Sequence, residues 1–195
     1  MVKHLIEKTV VIVKPDGVQR ALIGEIIHRI EKTGIKLSAI KMVLPTRKIL
    51  QEQYRMTDAW IKKLGDNSRA AFEAKGIKVT ETNEEIAKRV REWNIQSLLE
   101  GPVVAMVWEG FHSIEICRKI VGHTEPRQAL PGTIRGDYTT DSYDLSDVLQ
   151  RPIRNIVHAS GNKDEAENEI KIWFNKDEIQ NYSKKDWETI HKHNG

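Results

Sequence analysis

The stretch Arg154-Asn155-Ile156-Val157-His158-Ala159-Ser160 sets two β-branched residues directly before a histidine and two small residues directly after it. β-Branched side chains suit a pleated, buried surface. The run therefore reads as a strand over 156–158 that carries an imidazole to the rim of a core and leaves space in front of it. Helix-like sequence rich in Glu follows, so a carboxylate is within reach of the ring. A neutral imidazole held in this way is a nucleophile with its orienter. The same pattern also suits a histidine satisfied by packing alone, and only the remainder of the chain separates the two readings.

On the C-terminal side, Asp164 to Phe174 carries Ala166, Ile170 and Phe174 on one helical stripe, and the tail to Gly195 is polar apart from Trp187 and Ile190. On the N-terminal side, residues 123–152 are polar and turn-rich. They are too long for a plain connection and are expected to form a functional or interface loop. Ser113 to Val121 is amphipathic and stops at Gly122, while Val103 to Trp108 is a nearly continuous apolar run, as in a central strand covered on both faces. Between about Asp58 and Glu100 the sequence is crowded with charge around Trp60, Phe72 and Trp93. Within it, Glu84 to Leu99 is predicted helical with Ile86, Val90, Trp93 and Leu98 inward.

The first third alternates similarly. Thr9 to Val13 is a strand stopped by the turn chemistry of Lys14-Pro15-Asp16-Gly17. Leu22, Ile23, Ile26, Ile27 and Ile30 have helical spacing within 21–32, and Gly34 ends that helix. Ile35 to Leu44 reads as a strand with Ile35, Leu37, Ala39 and Lys41 on one side and Lys36, Ser38 and Ile40 on the other. Pro45 and Thr46 open a helix running past Tyr54. This alternation fits two split β-α-β units forming an antiparallel sheet with helices on one face better than it fits a parallel sheet.

Composition narrows the class. The 195 residues suit one domain with a substantial core. A hydrophobic share of 39%, a charged share of 30% and a net charge of +3 describe a mildly basic globular protein whose charges of both signs are interspersed. Cys117 is the single cysteine, which excludes an internal disulfide and a Cys-rich zinc site and points to a reducing, cytoplasmic setting. No apolar run approaches a membrane span, and Met1-Val2-Lys3-His4 opens without a signal-peptide core.

No glycine-rich phosphate loop is present, so any phosphate must be held by side chains. Lys14 follows the first strand at a rigid turn; Arg118, Thr124 and Arg135 sit on or after the helix at 113–121, where Pro126 and Pro131 stiffen the chain; Asn155 flanks the histidine strand. Guanidinium groups in such settings fork phosphate oxygens, although each residue taken singly also suits a solvated surface. The seven histidines form no metal-binding spacing, and His191 and His193 fall in the polar tail. A G-x-S-x-G elbow is absent. Lys88-Arg89-Val90-Arg91 beside Trp93 is the one hint of nucleic-acid binding, for which a solvated helix face is the simpler explanation.

Taken together, the segments resemble the nucleoside diphosphate kinase family. The resemblance rests on Lys14-Pro-Asp-Gly-Val-Gln-Arg20 with Leu22-Ile-Gly-Glu-Ile-Ile27, on Gly101-Pro-Val-Val-Ala-Met-Val-Trp-Glu-Gly110, and on Arg118, Gly122-His-Thr124 and Pro126. It extends through Pro131-Gly-Thr-Ile-Arg-Gly-Asp137 to Arg154-Asn-Ile-Val-His-Ala-Ser160. It implies a ferredoxin-like α+β sandwich with a four-stranded antiparallel sheet covered by helices. It also implies ping-pong transfer of the γ-phosphoryl group of ATP to nucleoside diphosphates through a phosphohistidine at His158. Glu169 and Ser160 fall on residues that orient the imidazole. Lys14, Tyr54, Arg118, Thr124, Arg135 and Asn155 fall on positions that hold phosphates, ribose or the histidine. Magnesium is expected on the nucleotide's own phosphates, with no metal site made by the protein, and nucleoside di- and triphosphates and further copies of the chain are the expected partners. Neither a membrane nor nucleic acid is expected. The alternative is a regulatory or nucleic-acid-binding relative that kept the fold without the activity.

The chain departs from the family pattern in places. Ala159 stands where the family commonly has Gly. The Pro-Phe-Phe base clamp after Tyr54 is missing, with Trp60 its nearest substitute and Phe72 second. Residues 58–100 form an enlarged helical insertion within a single domain spanning 1–195, and 137–152 is also longer than usual.

Overall fold

The computed structural model describes residues 5–73, 76 and 78–190; Met1–His4 and the tail histidines His191 and His193 lie outside them. Four strands, β1 (Ile6–Val13), β2 (Lys36–Val43), β3 (Val103–Phe111) and β4 (Val157–Ala159), form one sheet in the order β2-β3-β1-β4. All three pairings are antiparallel. β1 and β2 are separated by β3, as two split β-α-β units require.

Helices cover both faces of the sheet, not one. Val11 and Val13 of β1, with Met106 and Trp108 of β3, bury one face against α2 (Ile23–Glu31) and α6 (Ser113–Val121) through Ile26, Ile30, Cys117 and Val121. Val10 and Ile12, with Ala105 and Val107, bury the other against α3 (Arg47–Gln53), α5 (Asn83–Leu99) and α9 (Lys163–Trp173) through Leu50, Ile95, Leu98 and Trp173. The two-residue period of β1 and β3 divides the core in this way. It also aims the nucleophile candidate. His158 is the cross-strand partner of Ile12, so it projects to the second face, toward α3 and α9.

Several boundaries differ from the sequence expectation. Lys14-Pro15-Asp16-Gly17 is not a simple turn: it opens a short helix, α1 (Pro15–Gln19), with Pro at the first helical position, where its missing N–H costs nothing. A β-bulge between Leu37 and Ala39 breaks the alternation assigned to β2. Leu37 faces the first core and Ala39 the second, because one extra residue moves every later side chain to the opposite face. The same shift leaves Ile40 and Met42 exposed on this edge strand, with Leu44 exposed just beyond its end.

The stretch 123–152 is not irregular, for it holds a turn of 3-10 helix, α7 (Ile134–Tyr138) and α8 (Tyr143–Val148). Ser142 caps α8 through Leu145 N, and the buried Asp141 accepts from Arg151 and from Arg154 N. Residues 58–100 fold as the hairpin of α4 (Asp58–Glu73) and α5, with a capping box at Thr82 and Glu85 opening the second helix. Ile86 and Leu98 are buried in α5 as expected; Val90 and Trp93 are only half-buried and face a cleft. The polar tail is also organised. It carries a 3-10 turn and α10 (Lys185–Ile190), and Trp187 reaches back to Phe111 and to the carbonyl of Gly34.

Candidate active site

Strand β4 starts one residue later than the sequence suggested. Ile156 has φ of 55° and lies in the left-handed region, where a β-branched residue costs about 1–3 kcal/mol. Three neighbours hold it there. Its N–H donates to Asp16 Oδ2 at 3.0 Å, its carbonyl accepts from Lys14 N at 2.9 Å, and a Cβ at Gly17 would sit only 2.7 Å from that carbonyl. The kink turns the following residues into the sheet and delivers His158 to the second face. Ala159 is outside the left-handed region, so its methyl group requires no strained backbone, and it is buried against β1.

His158 Nε2 lies 2.9 Å from Glu169 Oε1 on α9. Glu169 is 5% exposed. Its second oxygen accepts from Ser160 Oγ at 2.6 Å, and Ser160 Oγ in turn accepts from Val10 N at 3.1 Å. Ser160 therefore acts on the ring through Glu169 and does not touch it. Burial pushes the Glu169 carboxyl up, but the adjacent imidazole and the hydrogen bonds from His158, Ser160 and Gln53 outweigh it and hold the group below the usual carboxylate range. Gln53 was not singled out in the sequence. Its amide N–H donates to Glu169 Oε1 while its oxygen accepts from Trp173 Nε1 at 2.7 Å. It sits on the last turn of α3, beside Tyr54, and nothing in its sequence context marks it.

With Nε2 engaged, Nδ1 of His158 has no hydrogen-bond partner among the described residues, and the side chain, 21% exposed, lines a cleft of about 590 Å³. Lys14, Tyr54, Arg118, Thr124, Arg135 and Asn155 line the same cleft, so the structure brings these six residues together in front of the imidazole, with Glu169 and Ser160 behind it. Lys14 Nζ donates to Asn155 Oδ1 at 2.6 Å, and Asn155 Nδ2 donates to the carbonyl of Thr124 at 2.9 Å. Burial lowers the Lys14 ammonium to about 8, the charges of Arg135 and Arg154 adding to the effect and that of Asp16 opposing it. Arg135 is also buried, which brings its guanidinium down to about 10. It donates to the carbonyls of Gly122, Asn155 and Val157, so it fixes the walls of the site as well as lending charge to it. Arg118 is exposed on the last turn of α6, and its side chain makes no hydrogen bond or ion pair among the described residues. Burial and the Glu169 charge raise the Tyr54 phenol well above its ordinary range, so it stays a neutral donor.

The hairpin forms the roof. Trp60, Leu64, Asn67, Ser68 and Ala71 fall on one face of α4 at helical spacing and line the cleft, with Trp93 of α5 beside them. Arg89 lies over the Trp93 ring at 4.9 Å and is paired with Glu81. Phe72 lines the cleft too, but twelve residues from Trp60, or about 18 Å along the helix. Pro152 and the α8 residues Tyr143, Ser146 and Asp147 line the cleft as well. A carboxylate-anchored imidazole facing cationic groups, under an aromatic roof, can bind a polyphosphate with a planar base attached and attack its terminal phosphorus.

Comparison with known proteins gives the same direction. Residues 7–63 and 68–179 match the family model described as nucleoside diphosphate kinase. The nucleoside diphosphate kinase of Pyrobaculum aerophilum is 41% identical over 179 residues, covering 89% of this chain and 98% of its own length. That of Borreliella burgdorferi is 38% identical over 184 residues, covering 93% and 95%. Among solved structures, an NDP kinase from P. aerophilum aligns with a TM-score of 0.86 at 39% identity, over 90% of this chain and 100% of that one. The B. burgdorferi nucleoside-diphosphate kinase, a transition-state mimic with bound vanadate and ADP, aligns with a TM-score of 0.81 at 35% identity, over 96% and 98%.

Proposed function

The chain belongs to the nucleoside diphosphate kinase family, phosphotransferases acting on nucleoside di- and triphosphates, and on that premise we propose that His158 is the residue that carries the phosphoryl group. The anchoring of Nε2 by Glu169 carries this reading. It requires the ring proton on Nε2 and leaves the Nδ1 lone pair directed to the cleft. Nδ1 attacks the γ-phosphorus of a nucleoside triphosphate; the N–P bond forms, the bond from phosphorus to the β–γ bridging oxygen breaks, and the diphosphate leaves. A second diphosphate then takes the group by the reverse path. Glu169 stabilises the positive charge that develops on the ring during attack. Lys14, Arg118 and Arg135 spread charge over a loose transition state, in which positioning and electrostatics supply most of the acceleration. The vanadate and ADP held by the B. burgdorferi relative support the same use of this site.

Among the described residues no group of three or more His, Cys, Asp or Glu is placed to hold a metal ion, and the floor of the cleft is cationic. That donor set fits magnesium carried on the nucleotide's phosphates, where it supplies charge neutralisation. Trp60 stacks on the base, with no charged group needed to read it. The enlarged hairpin is a roof within one domain. The exposed Ile40 and Met42 on edge strand β2, with Leu44 just beyond it, support assembly with further copies of the chain. No helix of the described residues is long and apolar enough to cross a membrane. The unpaired, buried Cys117 supports a reducing compartment such as the cytoplasm.

Brief incubation with γ-labelled ATP should place acid-labile, base-stable label on the protein, and His158→Ala should remove it. Label that survives in the variant moves the nucleophile elsewhere.

A further inference from the structure

We propose that His123 is an additional phosphate-binding residue, donating from Nε2 to a non-transferred phosphate of the nucleotide; this rests on the phosphotransfer reading of the cleft. His123 lies between Gly122 and Thr124, is exposed, and lines the cleft. Its backbone is fixed from both sides by residues of the site. The Gly122 carbonyl accepts from Arg135 Nη1 at 2.9 Å, and the Thr124 carbonyl accepts from Asn155 Nδ2 at 2.9 Å. The ring is fixed as well, because Nδ1 accepts the N–H of Glu125 at 3.1 Å. Glu125 is 1% exposed and is itself tied to Tyr143 N and Arg127, so the segment behind the ring is rigid.

A backbone N–H can only donate, so this contact makes Nδ1 the acceptor and puts the neutral ring's proton on Nε2. Nε2 has no partner among the described residues. The result is a preorganised N–H donor in a cleft lined by Lys14, Arg118 and Arg135, none of which is paired with a carboxylate among the described residues. Arg118, whose carbonyl accepts the Gly122 N–H at 2.9 Å, and Thr124 are its neighbours in the chain. Because Glu169 anchors His158 on a different element, His123 holds the part of the nucleotide that is not transferred. Its loss should weaken binding of diphosphate and triphosphate alike and leave saturated turnover nearly unchanged.

The two ring nitrogens can be tested separately. Glutamine places an amide N–H close to the position of Nε2; asparagine places an amide oxygen close to that of Nδ1 and supplies nothing at Nε2. ADP is titrated calorimetrically into the unphosphorylated full-length protein carrying His123→Gln, His123→Asn or His123→Ala, and KM and kcat are measured on each. The expected result is His123→Gln within about twofold of wild type and His123→Asn and His123→Ala weaker by about tenfold, one hydrogen bond to a charged group at its weaker end. The change should fall in Kd and KM, not in kcat. Asparagine near wild type with glutamine impaired would assign the ring to the loop alone and overturn the proposal, as would equal behaviour of all three variants. Labelling of the wild type at His158 is measured alongside, so that failure of the phosphohistidine reading is told apart from failure of the His123 contact.

Discussion

Glu169→Gln removes one charge from behind the imidazole while leaving its shape, and the surrounding hydrogen bonds show why the fold should accept it. The amide oxygen can take the place of Oε1 and accept from His158 Nε2, now 2.9 Å away. The new NH2 group then faces Ser160 Oγ, which at present donates to Glu169 at 2.6 Å. Ser160 can reverse its role, since the Val10 carbonyl lies 3.3 Å from its oxygen and can receive the hydroxyl proton. What is lost is the charge-assisted part of the bond to the ring, about 1–1.5 kcal/mol by the difference between a hydrogen bond to a charged group and a neutral one, and the loss bears most on the transition state, where the ring gains positive charge. The phosphorylation rate should fall roughly 5- to 15-fold. Nucleotide KM should hold, because Glu169 touches the ring and not the cleft. Single-turnover labelling from γ-labelled ATP measures the step directly, and a rate within twofold of wild type would refute the stabilising role given to the carboxylate. Thermal unfolding as a function of pH provides the folding control. A carboxyl held below its usual range in the folded protein contributes stability above its unfolded pKa and loses it as pH falls through the folded value, so any stability advantage of wild type over Glu169→Gln should shrink toward acid.

Lys14 supplies a prediction on the alkaline side. Its ammonium is lowered to about 8 by burial, so the free protein loses this charge as pH rises through that value, and kcat/KM for nucleotide should decline above it. The kcat profile should stay flatter, because bound phosphates favour the charged form; a kcat/KM that is level to pH 9.5 would contradict the assignment. Between about 8 and 10.5 the unfolded chain holds a proton on Lys14 that the folded one lacks, so this group makes stability rise with pH there. For the base, Trp60→Ala should raise the ADP dissociation constant by roughly 5- to 150-fold, the range of one lost stacking contact, and Phe72→Ala should not. The reverse pattern in the same titration would transfer the role to Phe72.

The parts of the structure legible in the sequence are those decided by local chemistry. Apolar periodicity placed the strands and the helices around 23–31, 113–121 and 163–173, and Thr46 and Gly34 marked helix ends by capping and by a left-handed stop. What periodicity could not show was the bulge at Ser38. One inserted residue looks like an ordinary position in a strand, and only the pairing with β3 reveals that Leu37 and Ala39 face different cores. The stretch 123–152 was hidden for another reason. α7 and α8 are five and six residues long, too short to establish a period, and the start of α8 is held by the buried carboxylates of Glu125 and Asp141. The site divides in the same way. Residues in dense motifs, such as His158, Asn155 and Arg135, were visible; Gln53 and Trp173 were not, because their contribution depends on α3 and α9 meeting on one face of the sheet.

That division explains why the motif Lys14-Pro15-Asp16-Gly17 and the motif Arg154 to Ser160 have to be read as one unit. Read locally, the first is a turn and the second a strand, and both readings fail at the same place. Ile156 adopts a conformation that a β-branched residue avoids, and no local preference would produce it. The conformation is imposed from 140 residues away: Asp16 takes the Ile156 N–H, Lys14 N gives to its carbonyl, and Gly17 leaves room for the close approach. The same segment sends Lys14 Nζ to Asn155. Charge placement and imidazole placement are therefore set by one contact between the two motifs. A side chain at Gly17 would disturb both together, since its Cβ would meet the very carbonyl that Lys14 N holds.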